Sequence, residues 1–120
     1  MKKLTVRLIV TMTTMITSMM AFPALAEVTE ADLAKGKMLS FERKKGNCLA
    51  CHIVAEGALP GNAAPPLIAM KARFPDKKVL REQIYDARIK NSNTLMPPFG
   101  AHEILTEKEL DLVLEYIYSL

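Results

Sequence analysis

The chain has 120 residues, with two cysteines, two histidines and no tryptophan. Sixteen Lys+Arg stand against thirteen Asp+Glu, but Lys2, Lys3 and Arg7 fall within residues 1–26, where there is no acid, so 27–120 carry thirteen of each and no net charge. That balance excludes an overall electrostatic case for nucleic acid or an anionic membrane as partner, and two cysteines exclude a disulfide framework.

In chain order, residues 1–26 read as a secretory signal peptide. A positive start precedes the mostly apolar Leu8 to Phe22, and Ala24-Leu25-Ala26 is a small-residue cleavage pattern. The run is threonine-diluted and shorter than the ~20 residues of a span, so the expectation is cleavage, export to the periplasm and one domain, 27–120. A domain this small buries only about 60% of its unfolded surface and commonly needs a staple, a metal or a cofactor.

Thr29 and Asp32 predict a capped helix start. That helix runs to Lys45, with Leu33, Ala34, Met38 and Phe41 as its apolar stripe and Gly46 just beyond the cap. Glu56 to Pro66 (EGALPGNAAPP) is loop. Leu67 to Phe74 is a short helix. Pro75-Asp76 opens another, with Val79, Leu80, Ile84 and Ala87 at helical spacing, ending near Lys90-Asn91. Asn91 to Gly100 (NSNTLMPPFG) is loop. Thr106-Glu107-Lys108-Glu109 is a capping box for a last helix striped by Leu110, Val113, Leu114 and Ile117. No segment reads as a strand, so the expected class is all-α, with three main helices and long loops. Charge separates along the chain: seven bases against three acids in 71–90, five acids against Lys108 in 103–115. Solvated helix faces or a partner-orienting surface explain that equally.

Cys48-Leu49-Ala50-Cys51-His52 fits C-x-x-C-H, the attachment pattern of c-type haem. Two thiols on one side of a tight turn can each form a thioether to a vinyl group. The histidine that follows supplies an axial nitrogen to iron. A thiol–disulfide redox motif would want a βαβ pattern. Zinc held by Cys48, Cys51, His52 and His102 would crowd two adjacent ligands and leave the fourth far away in sequence. A simple disulfide across the turn is the plainest alternative. For the second axial position, Met96 stands in a loop stiffened by Pro97 and Pro98. Met38 and Met70 fit core packing better, and His102 is a second candidate. Pro66 is a candidate carbonyl acceptor for the other ring nitrogen of His52. Pro97-Pro98-Phe99 could form either a partner contact or a pocket wall.

These residues resemble class I cytochromes c over essentially all of 29–120, with Pro65-Pro66-Leu67 where that family commonly has Gly-Pro-x-Leu. RKKGNCLACH, FPDKKVLREQIYDA and NTLMPPFGAHEILTEKELDLVLEYIYSL are similar to the SoxX family, small monohaem subunits of SoxAX cytochromes. The resemblance implies one covalent haem c and a periplasmic heterodimer with a SoxA-type cytochrome subunit. That complex acts as an L-cysteine S-thiosulfotransferase, coupling thiosulfate oxidatively to a cysteine of the SoxYZ carrier. It implies too that this subunit is not catalytic alone, and passes electrons to a downstream cytochrome. A chain whose two thiols are thioether-bonded, and whose iron has both axial positions filled, has no site for substrate and only moves electrons. A freestanding periplasmic carrier and a thiol oxidoreductase are the competing readings.

Overall fold

The computed structural model describes residues 27–120; the expected signal peptide, 1–26, lies outside the described residues. Four helices and two 3-10 turns make up the described residues, with no strand among them. They are α1 (Glu30–Phe41), a 3-10 turn (Cys48–Ala50), α2 (Met70–Arg73), α3 (Lys77–Tyr85), a second 3-10 turn (Ala87–Ile89) and α4 (Glu107–Ser119). The all-α expectation with three main helices holds. No helix among the described residues is long and apolar enough to cross a membrane.

The start of α1 forms as its sequence predicts: Asp32 N–H donates to Thr29 Oγ1 at 3.2 Å and Thr29 N–H donates to Asp32 Oδ2 at 3.0 Å. Its end does not. The helix ends at Phe41, four residues short of Lys45, and Glu42 is already extended, because the chain folds back and Gly46 N–H takes the Leu39 carbonyl at 3.0 Å. A Cβ on Gly46 would lie 2.9 Å from that carbonyl oxygen, so Gly46 is a close-contact glycine and not a left-handed cap. The left-handed residue is Asn47, φ 47°, a type that tolerates that region.

The buried face of α1 is Gly36, Leu39 and Ser40, not the stripe of larger residues. Met38, expected in the core, is 57% exposed. Small residues win because α4 crosses here at contact distance: a Cβ on Gly36 would stand 2.1 Å from the Leu112 carbonyl oxygen. Ser40 satisfies its own hydroxyl by donating to Gly36 O at 2.8 Å. Phe41 meets Tyr116 edge-on, with ring centroids 5.9 Å apart.

On α4 the expected stripe is buried, and Tyr116 joins it. Its start is a capping box, with Thr106 N–H donating to Glu109 Oε2 at 2.9 Å. Leu80, Ile84 and Ala87 are buried on the α3 side, but α3 ends at Tyr85, where Asp86 turns extended and caps the second 3-10 turn. Lys77 reaches Glu115 at 2.7 Å, and Arg81 reaches Asp111 at 2.8 Å and Glu107 at 2.5 Å. Basic residues of α3 thus pair with acidic residues of α4, so these oppositely charged segments answer each other within the molecule. Met70 is buried as expected, and its N–H donates to Leu120 O at 2.9 Å.

Candidate functional site

The two cysteines open and follow one 3-10 turn. The Cys48 carbonyl accepts from both Cys51 N–H (3.2 Å) and His52 N–H (2.8 Å), which winds the backbone so that 48, 51 and 52 share one tight loop. The proline-rich loop is laced to that turn. Gly61 N–H donates to Leu49 O at 2.7 Å, Ala64 N–H to Cys51 O at 3.1 Å, and Leu67 N–H to Ile53 O at 2.9 Å. Gly61 approaches so closely that a Cβ there would lie 2.1 Å from Ala50 O.

Cys48 and Cys51 are both free thiols, so the simple disulfide is not formed. Burial pushes the Cys48 thiol up to about 11, and the nearby Ser40 hydroxyl only partly offsets that rise. A redox nucleophile needs the opposite shift, and the strands of a βαβ unit are missing among the described residues. The thiol oxidoreductase reading therefore lacks its fold, and the Cys48 thiol is shifted away from thiolate reactivity. Among the described residues no three His, Cys, Asp or Glu side chains gather where they could hold a metal ion. His102, the fourth ligand of the zinc reading, is exposed and accepts from Arg88 Nη1 at 3.2 Å.

His52 is half-buried, with Nδ1 2.7 Å from the Pro65 carbonyl. A carbonyl only accepts, so the proton of this bond sits on Nδ1, which leaves Nε2 as the ring nitrogen available for a ligand role. That is the tautomer of an axial imidazole. The acceptor expected from sequence was Pro66; the structure corrects this to Pro65. Pro66 O is taken instead by Arg73 Nη1 at 2.6 Å. Neither Pro65 nor Arg73 carries a sequence signal for this role, although a Pro-Pro pair offers two successive carbonyls and no N–H.

Met96 is half-buried and packs against the core cluster. Its loop is fastened on both sides. Before it, Thr94 Oγ1 accepts from Met96 N–H at 3.1 Å. After it, Phe99 is buried, and Gly100 N–H donates to Tyr85 O at 3.1 Å, with the Tyr85 ring where a Gly100 Cβ would be. Of Pro97-Pro98-Phe99, only Pro97 is exposed, so the segment is mainly an internal wall and anchor for Met96.

Does this donor set fit a covalent haem? Two free thiols with two residues between them, an imidazole whose Nδ1 proton is held by a carbonyl and a thioether on a fastened loop are the groups such a cofactor bonds. The segments that carry them also leave apolar side chains uncovered: Ile53 beside His52, Ile68 after the proline pair, and Leu95 beside Met96, the last 92% exposed. The residues fit.

Comparisons with known proteins agree. A family model described as cytochrome c oxidase, cbb3-type, subunit III matches residues 32–117. The crystal structure of SoxXA from P. pantotrophus superposes with a TM-score of 0.64 at 23% identity, covering 72% of this chain and 79% of that one, which shows a shared fold. An uncharacterized lipoprotein of Aquifex aeolicus (strain VF5) is 33% identical over 77 residues, 63% of this chain; the match spans 37% of that relative's length.

Proposed function

Because the chain belongs to the c-type cytochrome family described as cytochrome c oxidase, cbb3-type, subunit III, we propose that it is an electron-accepting monohaem subunit of a SoxAX-type complex. Membership implies a covalently bound haem c. In this reading residues 1–26 are a cleaved signal peptide and the domain works in the periplasm beside a SoxA-type subunit. The observation that carries the reading is His52: its Nδ1 proton is held by Pro65 O, and its Nε2 is free directly after two unpaired thiols.

Cys48 and Cys51 would hold the cofactor as thioethers, and the His52 ring nitrogen and the Met96 sulfur would ligate its iron. When bound, the haem supplies a one-electron couple whose potential a methionine ligand raises. This chain's residues then do three things. The laced turn orients His52, the fastened loop presents the Met96 sulfur, and the buried Phe99 and Leu105 back that loop against α4. With both thiols used as thioethers and His52 and Met96 on the iron, the chain would have no thiol left to attack a sulfur substrate and no open iron position to bind one. Coupling of thiosulfate to the SoxYZ cysteine therefore falls to the partner subunit, and this chain passes electrons on to a downstream cytochrome.

The test begins with a denaturing gel stained for haem peroxidase activity, run on wild type and on a Cys48→Ala, Cys51→Ala double variant. Wild type retains pigment at the size of 27–120 and the double variant loses it. Thiosulfate-dependent reduction is then expected only when the partner cytochrome and carrier are both present. Reduction by this chain alone refutes the division of roles. A chain that stays monomeric and captures no second cytochrome is a freestanding carrier.

A further inference from the structure

Pro65 and Pro66 have no N–H, so their segment is tied down only through its carbonyls and its neighbours. On either side, Ala64 N–H is held by Cys51 O and Leu67 N–H by Ile53 O, at 3.1 and 2.9 Å. The Pro65 carbonyl meets the His52 ring at 2.7 Å. The Pro66 carbonyl accepts from Arg73 Nη1 at 2.6 Å. The same nitrogen stands 3.4 Å from the Met70 sulfur, and the guanidinium is 5.9 Å from the Phe74 ring centroid. Met70 is buried, so Arg73 links the anchored end of α2 to the backbone beside the acceptor of His52.

The coupling is geometric. Each peptide unit is a rigid plane. The Pro65 carbonyl lies in the plane shared by 65 and 66, the Pro66 carbonyl in the next. Between the two planes stand only φ and ψ of Pro66, and the ring fixes φ near −65°. One torsion, ψ of Pro66, remains, so holding the second plane confines the first carbonyl to a single rotation, which the Ala64 N–H anchor to Cys51 O then closes. Leu67 N–H holds that second plane on one side; Arg73 holds it on the other, through a charge-assisted bond.

We propose that Arg73 is a positioning residue for His52, fixing through the Pro66 carbonyl the direction of the Pro65 carbonyl that keeps the ring proton on Nδ1. The proposal rests on His52 being an iron ligand, as read above. It requires no contact between Arg73 and the cofactor, and it predicts an effect on the ring proton that a remote charge would not produce.

The experiment uses the reduced, diamagnetic holoprotein, labelled with nitrogen-15, to follow exchange of the His52 Nδ1 proton with solvent. The midpoint potential is measured alongside. Arg73→Met, long but neutral and without a donor, is compared with Arg73→Lys, which keeps the charge and one donor. Both substitutions fall on an exposed residue, and unchanged axial-ligand spectra report that the fold is retained. The expected result is exchange about fivefold faster in Arg73→Met, equivalent to about 1 kcal/mol at 1.4 kcal/mol per decade, with partial recovery in Arg73→Lys. Exchange in Arg73→Met equal to wild type overturns the proposal. A potential that falls in Arg73→Met while exchange is unchanged also overturns it, and assigns Arg73 a charge effect instead. A wild-type holoprotein with no histidine ligation in its spectrum refutes the axial-ligand reading itself, and is distinguished before any variant is made.

Discussion

Gly36→Ala sets two effects of opposite sign against each other. In a helix interior alanine is favoured over glycine by about 0.5–1 kcal/mol, so propensity alone makes the variant more stable. The crossing with α4 says the reverse. The new Cβ would sit 2.1 Å from Leu112 O, 2.8 Å from Leu112 C and 2.9 Å from Tyr116 Cβ. Two of those atoms are backbone and cannot rotate away. Relief requires α1 to back off by about 1 Å, a gap that forfeits a quarter to a half of each dispersion contact along the seam. Leu39, Val113 and Tyr116 all belong to the core cluster there. Overpacking of this kind costs about 1–3 kcal/mol. With the propensity gain subtracted, the net loss is about 1 kcal/mol, or a midpoint lower by roughly 4–8 °C at 4–8 °C per kcal/mol. Thermal unfolding of the holoprotein followed by circular dichroism measures it. A midpoint equal to or above wild type would refute the contact-distance crossing.

Other consequences are open to direct measurement. Met96→Ala is expected to lower the midpoint potential; an unchanged potential and visible spectrum would remove Met96 as the ligand. Tyr116 is buried and its hydroxyl has no partner among the described residues, a placement that pushes its phenol up to about 12. Tyr116→Phe deletes only that unpaired hydroxyl, so urea unfolding is expected to show a gain of about 1 kcal/mol with an unchanged slope; a loss of stability would mean that the hydroxyl has a partner in the holoprotein. Lys45, at 2.9 Å, and the Thr106 cap hold the Glu109 carboxyl below the usual glutamate range. The folded-state value is thus depressed, and the stabilisation is present above the ordinary glutamate range and lost as pH falls through the depressed folded-state value. Glu109→Gln is expected to flatten the acid limb of the unfolding midpoint against pH, and a limb as steep as wild type would discard the pairing.

What could be read from sequence was local. Thr29 with Asp32 and Thr106 with Glu109 start helices wherever they occur, because the bonds they make lie within one turn. The α4 stripe is legible because its large apolar residues repeat with the helical period. The face of α1 is not, since a close crossing selects Gly36 and Ser40 for their lack of bulk, and smallness leaves no hydrophobic pattern. Met38 was misplaced for the same reason. The C-x-x-C-H string carries its chemistry in its spacing, and the structure keeps its two thiols and its histidine on one turn. Pro65, rather than Pro66, meets His52, and which of two adjacent carbonyls faces a ring is decided by loop closure across a dozen residues, which no single-residue signal encodes. Arg73 is invisible for a like reason, as its partner lies in a different segment. The blocks of opposite charge were visible, but their answer to each other required α3 to lie against α4.

That mutual neutralisation shapes how another molecule would find this one. With residues 27–120 balanced at thirteen bases and thirteen acids, and the two most polarised stretches cancelling at 2.5–2.8 Å, the far field is weak beyond a Debye length of about 8 Å. An approaching redox protein feels little pull until surfaces touch. Encounter rates would then vary only gently with ionic strength, and selectivity would reside in short-range shape and lifetime rather than in electrostatic capture.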